Sequence, residues 1–119
     1  MEFKIIRWAA ILGMLAVILG AFGAHALKEI LIQNGTNETY KTAVFYHLTH
    51  TLAILFLASQ SIKSKPIILQ LWVLGIILFS GSLYIISVFQ LKFIGIITPI
   101  GGALLIAGWL MLMVKAKDR

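Results

Sequence analysis

Four stretches without a single charged side chain set the limits on what this chain can fold into: residues 8–27, 42–62, 66–91 and 93–114. Each is 20 residues or longer, and about 20 apolar residues in a helix cross a hydrocarbon layer of about 30 Å. A segment in lipid must satisfy its own backbone hydrogen bonds, which leaves helices or a closed β-barrel. The alternating segments of about 10 residues that a barrel requires are absent. The sequence therefore predicts an all-α polytopic membrane protein. It forms a bundle of four transmembrane helices over 5–27, 40–62, 66–91 and 93–115, in one domain spanning 1–119. Composition agrees: 61% of residues are hydrophobic and 12% charged, about half the charged share of a soluble domain. Disorder is excluded by the same numbers, because it needs low hydrophobicity.

The connections are short, so consecutive helices are expected to be antiparallel neighbours. The longest, 28–41, contains the turn signal Asn34-Gly35, followed by Thr36 and Asn37 as candidate N-caps. Pro66 suits the first turn of the third helix. Lysine and arginine set the orientation. Lys4, Arg7, Lys63, Lys65, Lys115, Lys117 and Arg119 fall on one side, and only Lys28, Lys41 and Lys92 on the other. The positive-inside rule places both termini in the cytoplasm. Trp8, Trp72 and Trp109 are then expected near the inner interface and Tyr40 at the outer one. Ala24-His25-Ala26 behind Lys4 and Arg7 resembles a signal-peptide cleavage site, but the apolar stretch is long for a signal peptide and is read as a retained helix.

Lipid provides no hydrophobic drive for helices to associate, so close packing of small residues must do it. The first helix carries Ala9, Gly13, Ala16, Gly20 and Gly23 with the 3.5-residue period of a left-handed helix pair. This seam lies inside the bundle or forms a homo-oligomer interface. The third helix offers Gly81 among its small residues, and the fourth Gly101 and Gly102. Pro99 is expected to kink the fourth helix, since it removes a backbone donor.

Polar residues gather on the outer side in this topology. His25 ends the first helix, His47 and His50 lie on one face of the second, Ser80, Ser82 and Tyr84 occupy the third, and Thr98 and Pro99 begin the fourth. Polar groups at such depth are candidates for function. Three imidazoles with an open position can hold zinc, and two from separate helices can ligate haem iron. The histidines can equally be packing groups bonded to Ser80, Tyr84 or a carbonyl, or take part in proton or solute movement. No carboxylate lies within any stretch, which counts against a proton-driven pump.

Several chemistries are excluded more firmly. There is no cysteine, hence no disulfide, thiolate catalysis or Cys-type zinc site. The net charge of +6 sits in gaps between apolar runs and offers no basic face to a nucleic acid. It suits anionic lipid head groups instead. There is no P-loop, dinucleotide fingerprint, HExxH or GxSxG. A serine hydrolase built on Ser80 or Ser82 would lack an acid partner and a water path.

Three segments carry a family resemblance: Gly20-Ala21-Phe22-Gly23-Ala24-His25-Ala26-Leu27, Phe79-Ser80-Gly81-Ser82-Leu83-Tyr84, and Thr98-Pro99-Ile100-Gly101-Gly102 followed by Gly108-Trp109. In this order they resemble the small membrane family that includes animal transmembrane protein 256 and many bacterial members. The resemblance covers nearly the whole chain and implies four transmembrane helices. It implies no enzymatic reaction and no catalytic residues, and its family-level expectation is a role in membrane integrity. His25 and His50 fall within its pattern and are the metal candidates it leaves, while His47 falls outside it.

The expected protein is thus a non-enzymatic membrane protein of the bacterial plasma membrane, supporting envelope integrity or partner membrane proteins, without a required cofactor. The alternative is a binding or transport protein, as a homo-oligomer, with a metal, haem or small-ligand site in the outer half. A haem or metal redox subunit is the remaining enzymatic reading.

Overall fold

The computed structural model describes residues 2–119, all of whose regular structure is helical. Five α-helices follow one another: α1 (Glu2–Ala24), α2 (Lys28–Asn34), α3 (Asn37–Ala58), α4 (Lys65–Phe89) and α5 (Thr98–Lys115), with a 3₁₀ segment, Lys92–Ile96, ahead of α5. Three segments are long and apolar enough to cross a membrane: Glu2–Ala24, Lys65–Phe89, and Lys92–Lys115 taken through the 3₁₀ turn. The 22-residue α3 is long enough as well. Its polar residues, including Glu38, Lys41, His47 and His50, keep it out of that group by composition.

The four long helices lie in the row α1, α3, α4, α5, each packed along the next. The first and last helices share no extended contact among the described residues. The expected bundle is therefore an open row rather than a closed ring of helices, with extents of 50 × 26 × 16 Å. One end of the row, here the terminal end, carries Glu2, the link between α3 and α4, and the chain's last residues. Lys63 N–H donates to Asp118 O there (2.8 Å). The other end, the far end, carries α2 and the 3₁₀ segment.

The core is one cluster running from Ile5, Ala9 and Leu12 of α1 through Ile54 and Leu57 of α3 to Ile68, Trp72 and Ile76 of α4 and Leu105 of α5. The small-residue seam of α1 is internal. A methyl group at Gly13 would meet Thr51 Cγ2 at 3.5 Å, one at Gly20 would meet Val44 Cγ1 at 3.6 Å, and one at Gly23 would collide with the Tyr40 ring. The glycines of the seam pack on α3. Between α4 and α5 the approach is closer still. A methyl group at Gly101 would sit 2.7 Å from the carbonyl carbon of Leu78 and from Phe79 Cα. Gly75 faces Leu105 and Gly108 faces Trp72 in the same seam. Gly102 has only ordinary contact with the Phe79 ring, and Gly81 faces open space, so Gly81 is not the packing residue the sequence suggested.

Three further expectations change. Pro99 does not kink a helix. It sits in the first turn of α5, where its missing N–H would have no intrahelical partner anyway. The 3₁₀ segment supplies the change of direction, after Gln90 turns the chain with φ 55°. The connection 28–41 holds a helix of its own, α2, closed by Gly35 in the left-handed conformation at φ 67°. Thr36 flanks α3, but its hydroxyl does not cap that helix. It donates across to Ser87 O of α4 (2.7 Å).

Candidate functional site

The predicted single polar layer is resolved into separate nodes at different depths. The first joins α1, α3 and α4. His47 is 3% exposed, and its Nε2–H donates to Leu12 O (2.8 Å). In the neutral ring Nδ1 then carries no proton and accepts from the Tyr84 hydroxyl (2.7 Å). The Tyr40 hydroxyl donates to Leu19 O, and the Tyr40 ring meets the Tyr84 ring edge-on at 5.2 Å. Beside them Ser80 donates to Ala43 O (2.8 Å). Interhelical bonds of this kind hold helices together where lipid cannot. Here α1 contributes only backbone carbonyls, Leu12 O and Leu19 O.

The second node joins α3, α4 and α5. His50 Nε2 accepts from Trp109 Nε1–H (2.9 Å), and its Nδ1–H donates one helical turn back to Tyr46 O (2.9 Å). An indole only donates, so this tautomer is also fixed. Trp72 Nε1–H donates to Leu105 O (3.2 Å), and the two indoles lie 4.8 Å apart. Trp72 is 1% exposed: it is core, not the interfacial anchor expected. His47 and His50 are thus three residues apart yet serve different seams. Counting about 1.5 Å per residue from Asn37, they lie roughly 15 and 20 Å along α3. That is the middle of the row rather than one outer layer.

Two nodes tie the ends. At the far end Asn34 Nδ2 donates to Ser87 O (3.0 Å), and Gln90 Nε2 donates to Asn34 Oδ1 (2.7 Å), which holds the left-handed turn at Gln90. Ser82 donates to Phe79 O (2.8 Å) and accepts from Thr98 across the α4–α5 seam (2.6 Å). At the terminal end Lys65 is buried. It reaches Glu2 at 2.7 Å and the end of α3 at Ala58 O (3.5 Å). A cation beside the last carbonyls of a helix is favourable. The sequence showed Lys65 only as one charge in a positive-inside count.

His25 stands apart. It is exposed in the turn between α1 and α2, distant from His47 and His50 in partners and in position. Among the described residues no three His, Asp or Glu side chains gather as a metal-ligand set. The structure thus brings together His47, Tyr84 and Ser80 in one node and Ser82 with Thr98 in another, and leaves out His25. Trp109, Tyr40, Asn34, Thr36 and Gln90 are the partners that residue type alone did not reveal.

A relay of protons needs a group at each end that can both take and release one. His47 ends on the carbonyl of Leu12 and His50 on that of Tyr46, so each chain of bonds stops at a peptide. What the arrangement does is fix neighbouring helices in register.

A family model described as a protein of unknown function, DUF423, matches residues 19–102. The chain is similar to the UPF0382 membrane protein YwdK of Bacillus subtilis, with 44% identity over 112 residues covering 90% of each chain. It is similar to the UPF0382 membrane protein SSP2132 of Staphylococcus saprophyticus, with 43% identity over 110 residues, 88% of this chain and 89% of that one. The UPF0382 inner membrane protein YgdD of Escherichia coli K12 is 40% identical over 116 residues, 92% of this chain and 86% of that protein. No solved structure matches the chain.

Proposed function

The chain belongs to the DUF423 family of membrane proteins of unknown function, and on that premise we propose a four-span, non-enzymatic protein of the bacterial inner membrane that supports membrane integrity or neighbouring membrane proteins. The observation that carries this reading is where the polar and apolar groups go. The two mid-bundle histidines and their partners are used between helices, as at His47–Tyr84 and His50–Trp109, while Thr42, Thr49 and Thr51 bond carbonyls of their own helix. Large apolar side chains meanwhile face outward on every long helix: Val17 and Phe22 on α1, Phe45 and Phe56 on α3, Ile77 on α4, Ile106 and Met113 on α5. Such a surface fits lipid and not water.

The outward-facing apolar residues of α3 support a fourth span. So does its position between α1 and α4, antiparallel to both and at the same depth. Four spans put both termini on one side, and the seven Lys and Arg of the terminal end make that side the cytoplasm. The absence of cysteine makes this directly testable. Cysteine at Lys92 in intact cells is expected to react with a membrane-impermeant maleimide, and cysteine at Lys4, Ser64 or Lys117 only after lysis. Reaction of Lys4 and Lys117 variants from opposite sides would mean an odd number of spans.

The role itself is tested by deletion and complementation, reading dye leakage or detergent sensitivity of the cells. His50→Ala and Tyr84→Phe are expected to lower melting temperature in detergent and complementation together. Loss of complementation at unchanged melting temperature would replace the structural role with a chemical one. No cofactor enters this reading, because both ring nitrogens of His47 and of His50 already have partners. Purified protein is expected to hold well under one equivalent of zinc, copper or iron by mass spectrometry and to show no Soret band. Near-stoichiometric metal that disappears in His50→Ala would mean that His50 exchanges Trp109 for a metal.

A further inference from the structure

A groove of about 630 Å³ runs along the outside of the α1–α3 seam at the far end. Its apolar lining includes Gly20, Val44, Leu48 and Leu52, with Ile32 of α2 across its end. Gly20 leaves bare backbone in its wall, where a methyl group would meet only Val44 Cγ1, at 3.6 Å. Its charged lining is of one sign, Lys28 and Lys41. Lys41 also lies 3.7 Å from Glu38, in a pair whose side chains are 67% and 88% exposed. Such a pair is weak and readily exchanged, and Glu38 is not part of the groove lining.

We propose that this groove holds one acyl chain of an anionic phospholipid, with the lipid phosphate between Lys28 and Lys41. Dimensions single out this occupant. Along α3, Lys41 to Leu52 covers about 16 Å at 1.5 Å per residue. One leaflet's share of a hydrocarbon core of about 30 Å is about 15 Å. A chain anchored at the lysines therefore reaches the end of the groove as it reaches the bilayer midplane. A helix of a second copy would continue past Leu52 and would have no use for paired cations at one end. Charge complementarity then selects a phosphate without a compensating ammonium.

This inference rests on the four-span reading, which sets Lys28 and Lys41 at head-group level. The topology map by cysteine labelling is read separately, so failure of the lipid site and failure of the topology are distinguishable. The test is native mass spectrometry of the detergent-purified protein titrated with phosphatidylglycerol and phosphatidylcholine of identical acyl chains. The parent protein is expected to retain phosphatidylglycerol about tenfold better, since each lysine near a head group contributes to anionic preference. Lys28→Gln with Lys41→Gln is expected to bring the ratio to about one. Gly20→Leu is expected to reduce retention of both lipids at least about threefold, read on the fraction of the variant that elutes like the parent protein. Equal retention of the two lipids by the parent protein would overturn the proposal, as would a preference that survives both lysine substitutions. A dimer that Gly20→Leu disperses would assign the groove to a second copy and overturn it as well.

Discussion

Gly101→Val is expected to leave little folded protein in detergent, and Gly101→Ala to lose roughly 3 kcal/mol or more of stability. Overpacking an interior commonly costs about 1–3 kcal/mol, when side chains can shift to make room. At Gly101 the obstruction is backbone. A Cβ would lie against the amide nitrogen of Phe79, and 2.7 Å from Leu78 C and Phe79 Cα. Neither can move without displacing α4. The added carbon therefore separates α5 from α4 along their whole seam. That breaks the Trp72–Leu105 and Ser82–Thr98 bonds and the reach of Trp109 to His50. Gly81→Ala is the matched control. It lies in an adjacent helix with nothing within 4 Å of the added carbon, and should melt like the parent. Thermal scans in detergent, with size-exclusion profiles before and after heating, separate the two. Parent-like melting of Gly101→Ala would mean that α4 and α5 do not approach as closely as described.

His47→Phe is the second large effect expected, a loss of roughly 2–3 kcal/mol. Phenylalanine keeps the ring but neither nitrogen. Interhelical hydrogen bonds in membrane proteins average about 0.6 kcal/mol and reach about 1.7. Stranding a buried hydroxyl adds about 1–3 kcal/mol. Leu12 O is within a helix and keeps its intrahelical donor, so most of the loss is at Tyr84. Tyr84→Phe alone should cost about 1 kcal/mol, because His47 keeps its bond to Leu12 O. The double variant should then be less destabilised than the sum by about 1 kcal/mol, the signature of a shared bond. Strict additivity in chemical-denaturant or thermal measurements would show that His47 and Tyr84 act independently.

What the residues disclosed in advance depended on whether the signal was carried by composition or by geometry. Charge placement marked the long apolar helices, because a charged side chain in lipid is costly and few other forces compete with it. The α1 seam was legible for a similar reason. Ala9, Gly13, Ala16, Gly20 and Gly23 repeat at one period; the three glycines meet α3 and the two alanines are buried. Pro99 was misplaced because a proline inside an apolar run and a proline in a first helical turn look alike without the 3₁₀ segment before it. The short α2 was hidden in a stretch whose turn signal, Asn34-Gly35, is its end and not the whole connection.

The site was less legible. Most of its bonds end on backbone carbonyls, among them Leu12, Leu19, Ala43, Tyr46 and Leu105, and carbonyls have no residue signature. Counting depth from a loop assigned His47 and His50 to one layer, while their separation around α3 sends them to different neighbours. Trp109 was read as an interfacial anchor because tryptophan at a helix end often is. Its N–H turned inward to His50 could have been suspected only from the shortage of other donors near that ring.

The open row has a consequence for how the protein is made. Each long helix packs on the one that precedes it in the chain: α3 on α1, α4 on α3, α5 on α4. The exceptions are a few side-chain bonds: His47 with Tyr84, His50 with Trp109, Asn34 and Thr36 with Ser87 O, and Lys65 back to Glu2. Structures with mostly local partnerships form quickly. A chain leaving the ribosome can therefore dock helix by helix in the order of synthesis, without an intermediate that must hold an unfinished ring open in the bilayer.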